Sequence, residues 1–204
     1  MSLARVQFFS VSLDGFGTGE GQSLEAPFGH AGERLHEWMF VTRWWRQKVG
    51  EPGGSGGLDD AFLRLHDPGV GAEIMGSGKF GPPGWHEDPE WTGWWGLNPP
   101  FHTPTFSLTH HPRPSIEMEG GTTFHFIDAS PAEALETARE AAGGQDVRIG
   151  GGPRSSAISL PPALLTTCTS RWSRSCSAEA YASGTDWRAS RRTTRSRPPP
   201  RRAE

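Results

Sequence analysis

The sequence predicts an α/β domain built on a mainly parallel sheet, and three observations predict it. Short runs rich in β-branched and aromatic residues end on glycine or on an Asp-Gly pair. These runs alternate with segments whose apolar residues recur at helical spacing, the pattern of strands joined by helices that cover both faces of a sheet. A length of 204 residues suits one core. Sheets of this kind take their ligands beyond the carboxyl ends of the strands, so the glycine-bearing loops that follow the strands are the candidate sites.

The elements follow in order. Ala4 to Leu13 reads as a strand that stops at the turn pair Asp14-Gly15. Glu33 to Phe40 reads as a helix with Leu35, Trp38 and Met39 on one face. Gly50 to Gly57 is a flexible link, and Leu58, Ala61, Phe62 and Leu65 then share the expected inner face of a second helix. Ala72 to Gly76 is a short strand. From Phe80 to Pro104 regular patterning gives way to Gly, Pro and the tryptophans Trp85, Trp91, Trp94 and Trp95, a long loop that compact domains keep for a reason. Packing over the sheet is the favoured role for these rings, and lining a ligand site is the alternative. Thr105–Thr109 and Thr123–Ile127 are strands. Ser130 is placed to cap a helix, with Pro131 first inside it and Glu133 at the capping-box position; Ala134, Leu135, Ala138 and Ala141-Ala142 face inward, and Gly143-Gly144 ends it. Asp146 to Ile149 is a strand that runs into Gly150, Gly151 and Gly152.

Charge divides the chain. The net charge of −3 combines a body, residues 1–153, at −10 with a tail, residues 154–204, at +7. No run of about 18 apolar residues offers a membrane span, and no basic start leads into an apolar signal core, so a cytoplasmic enzyme is expected. Cys168 and Cys176 both lie in the tail, and no disulfide is expected. His102, His110, His111 and His125 have no carboxylate or cysteine at ligand spacing beside them, so no metal is expected.

An ordered set of motifs spans residues 4–153: Ser12-Leu13-Asp14-Gly15-Phe16, Glu33-Arg34-Leu35-His36-Glu37-Trp38, Met75-Gly76, Pro99-Pro100-Phe101-His102-Thr103-Pro104, Leu108-Thr109-His110-His111-Pro112, Gly120-Gly121-Thr122-Thr123-Phe124 and Ile149-Gly150-Gly151-Gly152. Together they closely resemble the dihydrofolate reductase-like family, typified by the reductase domain of bifunctional riboflavin-biosynthesis deaminase-reductases. The resemblance implies a three-layer αβα domain over residues 1–153 that binds NADPH and delivers hydride to a pterin-like, pyrimidine or ribityl-type small molecule, with homodimers among intact relatives. It places Ser12, Leu13 and Gly15 against the substrate and Asp14, the carboxylate at that strand end, as the group that orients a hydroxyl or relays a proton. Gly150, Gly151 and Gly152 would let backbone N–H groups approach a pyrophosphate. Gly76, Ser77 and Lys79 would form a second phosphate cradle, and Thr109 and His110 would lie near the adenosine. Where the family often carries arginine after Met-Gly, this chain has Ser77, with Lys79 as the nearest cation. Each position also has a plainer reading: Asp14-Gly15 and Ser77 as turn residues, Lys79 as a solvated lysine.

The tail has two readings. At face value, residues 154–204 are Ser, Thr, Arg and Pro with few apolar clusters, the composition of a disordered arm whose arginines neutralise nucleic-acid phosphates. Alternatively, a slip of one nucleotide near Pro153 produces the tail. Permitted codons in the other frame can encode a helix-like VVRDFLAAG, a strand-like HLHVAVVPVLL and a GRG turn, the elements that the resemblance implies after the glycine run. On this reading the C-terminal strands are missing, and an inactive truncated product becomes the competing expectation to a working reductase.

Overall fold

The computed structural model describes residues 2–7, 10–13 and 16–151, together with the backbone of residues 167–168, 171–173 and 180–181. It is an α/β arrangement around a mostly parallel sheet. The strands are β1 (Ala4–Val6), β2 (Ser10–Ser12), β3 (Thr18–Gly19), β4 (Val70–Gly76), β5 (Pro104–Leu108), β6 (Ile116–Glu117), β7 (Thr123–Ile127), β8 (Asp146–Gly150), β9 (Thr167–Cys168), β10 (Arg171–Ser173) and β11 (Ala180–Tyr181). The main sheet has the order β6-β7-β5-β4-β8-β1-β9, and every neighbouring pair is parallel except β6 with β7. β10 pairs in parallel with β2, and β11 antiparallel with β3. The helices are α1 (Glu37–Phe40), α2 (Arg43–Lys48), α3 (Leu58–His66), α4 (Ser77–Phe80) and α5 (Pro131–Ala141).

Register sorts the strand residues onto two faces. Val6, Ile149, Ile74, Phe106 and His125 lie side by side across β1, β8, β4, β5 and β7. The first four of these, with Ala4, Val147 and Ala72, meet Ala134, Leu135, Ala138 and Ala142 in one buried apolar cluster, so α5 and the residue after it cover this face. The cap of α5 is as expected: Ser130 Oγ accepts from the Glu133 amide at 3.4 Å, and Glu133 Oε2 accepts from the Ser130 amide at 2.9 Å. Two N–H groups that the first turn would leave open are thereby satisfied. Of the residues expected inside, Ala141 is exposed. Gly71, at the irregularity near the start of β4, lets that strand pass so near the end of α5 that a Cβ there would strike the Ala142 carbonyl.

The other face is built differently. Toward β5 and β7 it carries Met75, Phe124 and Phe126, packed against Phe80, Trp85 and Phe101 from the long loop. Trp95 stacks on Phe124 at 5.8 Å, and Trp91 Nε1 donates to the Phe80 carbonyl at 3.2 Å. The tryptophans therefore pack the sheet, as favoured. Toward β1 and β8 the same face carries Arg5, Gln7, Glu73 and Arg148.

Four expectations need correction. The helix expected over Glu33 to Phe40 is a 3-10 turn, Gly32–Leu35, followed by α1, with His36 (φ −113°, ψ −11°) closing the first and opening the second. Its Leu35 is fully buried and Trp38 Nε1 reaches Ser10 Oγ at 2.9 Å. Arg43–Lys48 forms a helix that spacing did not reveal, started by Thr42, whose hydroxyl accepts from the Trp45 amide. In α3 the inner face is shifted: Phe62 is half-buried, its ring centroid 6.2 Å from that of Trp38, but Ala61 is exposed and Leu58 is 82% and Leu65 73% exposed, whereas Asp60 and Leu63 are buried. The cause is Asp60, whose carboxylate accepts from the Trp44 amide at 2.6 Å and from Arg64 Nε at 2.8 Å, so pairing a polar group outweighs hiding two leucines. Finally, the stretch Ala4 to Leu13 contains two strands, β1 and β2, in place of one. Among the described residues no helix is long and apolar enough to cross a membrane.

Candidate functional site

Because β1, β4, β5, β7 and β8 are parallel, their carboxyl ends open on one edge of the sheet. Register fixes what emerges there. Met75 pairs with Gly150, Gly76 with Leu108, and Leu108 with Ile127. Gly151, Ser77, Thr109 and Asp128 thus follow neighbouring strand ends, and the two glycine-bearing turns singled out in the sequence come together.

Gly76 leads straight from β4 into α4, with Ser77 half-buried at its first position and Lys79 half-buried in the same turn. The Lys79 side chain runs back toward β8. Its ammonium occupies the space that a side chain at Gly150 would take, so that a Cβ there would collide with Nζ. Glu73 Oε2 is 3.6 Å from the same point, and the Phe101 ring centroid is 5.1 Å from Nζ. Burial pushes the Lys79 ammonium below the usual lysine range; the Arg148 cation adds to this and the Glu73 carboxylate opposes it. The same surroundings push the half-buried His36 down to about 4, through burial first and the Lys79 charge second, so its imidazole is neutral at pH 7.

Around the rim, the buried Thr109 donates its amide to the Ile127 carbonyl at 3.0 Å and accepts from the His111 amide at 3.1 Å. His110 points into solvent with Nδ1 3.0 Å from Asp128. His111 stacks on His86 at 3.6 Å, ring on ring, which docks the start of the tryptophan loop onto the end of β5. Among the described residues no three His, Cys, Asp or Glu side chains gather to hold a metal ion. On the substrate side, Ser12 is fully buried and its hydroxyl accepts from the Phe16 amide at 2.9 Å, while Leu13 is 63% exposed. Asp14, Gly15 and Gly152 lie outside the described residues, as does most of the stretch 154–204. No model of a known protein family matches the chain, and no curated protein matches it.

Beneath the strand ends lies a charged row that patterning alone missed. Glu73 is 1% and Arg148 6% exposed. Arg148 Nε donates to Glu73 Oε1 at 3.0 Å, and its Nη1 lies 3.4 Å from Asp67, which also pairs with Lys48 at 3.1 Å. Gln7, the residue after β1, is 1% exposed with Oε1 unpartnered, and Ser107 Oγ on β5 is likewise buried and unpartnered among the described residues. The signal was present: a glutamate and an arginine stand inside Val-Gly-Ala-Glu-Ile-Met and Val-Arg-Ile, and charges in buried strands require partners. Chemically, the edge offers exposed backbone at Gly78 and half-buried backbone at Gly76 and Gly151, while the buried Gly150 lies against the Lys79 ammonium, with aromatic walls beside it.

Proposed function

We propose that the chain is an NADPH-dependent reductase of the dihydrofolate reductase-like class, passing hydride to a small pterin-like, pyrimidine or ribityl-type acceptor. The observation that carries this reading is the meeting of the Gly76–Ser77 and Gly150–Gly151 turns at adjacent parallel strand ends, with Lys79 behind them. Glycines at such ends let backbone N–H groups approach a pyrophosphate that side chains would hold off. Thr109 and His110 then border the adenosine half, and Ser12 to Gly15 border the acceptor. The cofactor supplies the hydride; the protein positions the acceptor carbon, excludes water with the aromatic wall of Phe101 and Trp95, and holds the balancing proton, a role we give Asp14.

Titrating the full chain with NADPH tests this. Saturable quenching of tryptophan emission, with enhanced nicotinamide fluorescence, is the expected result. Absence of both at millimolar cofactor would overturn the reading.

A further inference from the structure

The opposite edge of the sheet carries a second concave feature. Asp67 precedes β4 and His102 precedes β5; these strands are parallel neighbours, so both residues lie at their amino ends, away from the glycine turns. Beside them a cavity of about 220 Å³ opens between α2, the end of α3 and the chain before β5, lined by Trp44, Gln47, Lys48, Arg64, Asp67 and His102. Pockets that enclose drug-sized ligands begin at roughly 300 Å³, so the guest that fits here is a small ion or ester rather than a nucleotide.

The walls of this cavity hold more donors than acceptors. Lys48 directs its ammonium to Asp67 at 3.1 Å, which uses one of its N–H groups, and lies 5.6 Å from the centroid of the Trp44 ring. Arg64 commits Nε to Asp60 at 2.8 Å and Nη2 to Gln47 Oε1 at 2.9 Å, so its Nη1 has no protein partner among the described residues, and the Gln47 amide keeps its own N–H donors. Asp67, the carboxylate among the lining residues, is shared between Lys48 and Arg148. His102 Nδ1 donates to the Gly120 carbonyl at 2.8 Å, since a carbonyl only accepts, which leaves Nε2 for a ligand. Its φ of 55° lies in the left-handed region, and its amide donates to Thr122 Oγ1 at 2.8 Å. Non-glycine residues held in that region cost energy and gather where position matters.

We propose that this cavity binds a phosphoryl group, as free phosphate or as the head of a small phosphate monoester. The acceptor oxygens of such a group match the donors of Lys48, Arg64 and Gln47, and its charge matches the two cations in the wall. The charge of Asp67 is offset by Lys48 and Arg148, one on each carboxylate oxygen. The Trp44 indole gives the carbon part of an ester an apolar surface.

Calorimetric titration of the full chain with inorganic phosphate, and in parallel with phenyl phosphate, tests this without any nicotinamide cofactor and so separately from the reductase reading. Saturable binding in the millimolar range is expected, tighter for phenyl phosphate where the ester is the guest and tighter for phosphate where the free ion is. Lys48→Gln should weaken it about tenfold, the loss of one charge-assisted hydrogen bond, and Gln47→Glu, which adds a carboxylate to the wall, should abolish it. Arg46→Gln, on the same helix but paired with Glu51 and not among the lining residues, should leave it unchanged. Absence of saturation with either anion would overturn the proposal. So would binding that Lys48→Gln and Gln47→Glu leave intact in variants with the wild-type circular dichroism, which would put the anion at the glycine turns, or an equal loss in Arg46→Gln, which would reduce the effect to the general charge of α2.

Discussion

The two faces of the sheet solve the same packing problem with opposite chemistry. Under α5, β-branched, aliphatic and alanine side chains close together, and the only polar ring in the row, His125, lies 4.9 Å from Phe106 in a stack. On the other face the half near β7 is aromatic, whereas the half near β1 buries Glu73, Arg148 and Gln7. Apolar burial stabilises by roughly 25 cal/mol per Å² and tolerates modest change. A buried ion pair contributes little net stability, yet losing one partner leaves an uncompensated charge. The first face therefore holds the fold together, and the second spends its burial on polar groups, the paired Glu73 and Arg148 and the unpartnered Oε1 of Gln7.

Substitutions can break or sharpen that contrast. Glu73→Ala should cost most, about 3–5 kcal/mol, because it removes the buried carboxylate that accepts from the Arg148 guanidinium; urea unfolding monitored by tryptophan emission measures it. Leu135→Ala, at a fully buried position on the inner face of α5, should cost about 2–5 kcal/mol through the cavity it leaves, with NADPH affinity unchanged in the folded fraction. Ser130→Ala removes the cap of the same helix and should cost about 1 kcal/mol in the same assay. Leu65→Ser should change stability by less than about 0.5 kcal/mol, since α3 turns that residue to solvent; a loss of several kcal/mol would mean that the apolar stripe of α3 is covered in solution.

Much of the α5 face was legible in the sequence. Ser130, Pro131 and Glu133 announce a helix start by local hydrogen-bond chemistry, and Val147 with Ile149 alternate as a strand with one face against it. Local signals failed where a long-range partner decided the outcome. Leu58, Ala61 and Leu65 form an apolar stripe that spacing assigns to the core, but the Trp44 amide, sixteen residues before Asp60, captures the opposite face. Of the candidate site, the glycine strand ends were readable because backbone freedom is a property of single residues. Glu73 and Arg148 stood out as charges inside apolar strands, but their meeting with Gln7 and Lys79 was not readable, because it forms only when β1, β4 and β8 come into register and α4 follows β4.

Glycine-selective nitrogen labelling of the full chain gives the most direct measurement of where the cofactor lies. On adding NADPH, the account predicts that amide resonances of Gly76, Gly78, Gly150 and Gly151 shift together and saturably, while Gly143 and Gly144, beyond the far end of α5, stay in place. Shifts confined to glycines away from the carboxyl edge, or none at millimolar NADPH, would contradict it.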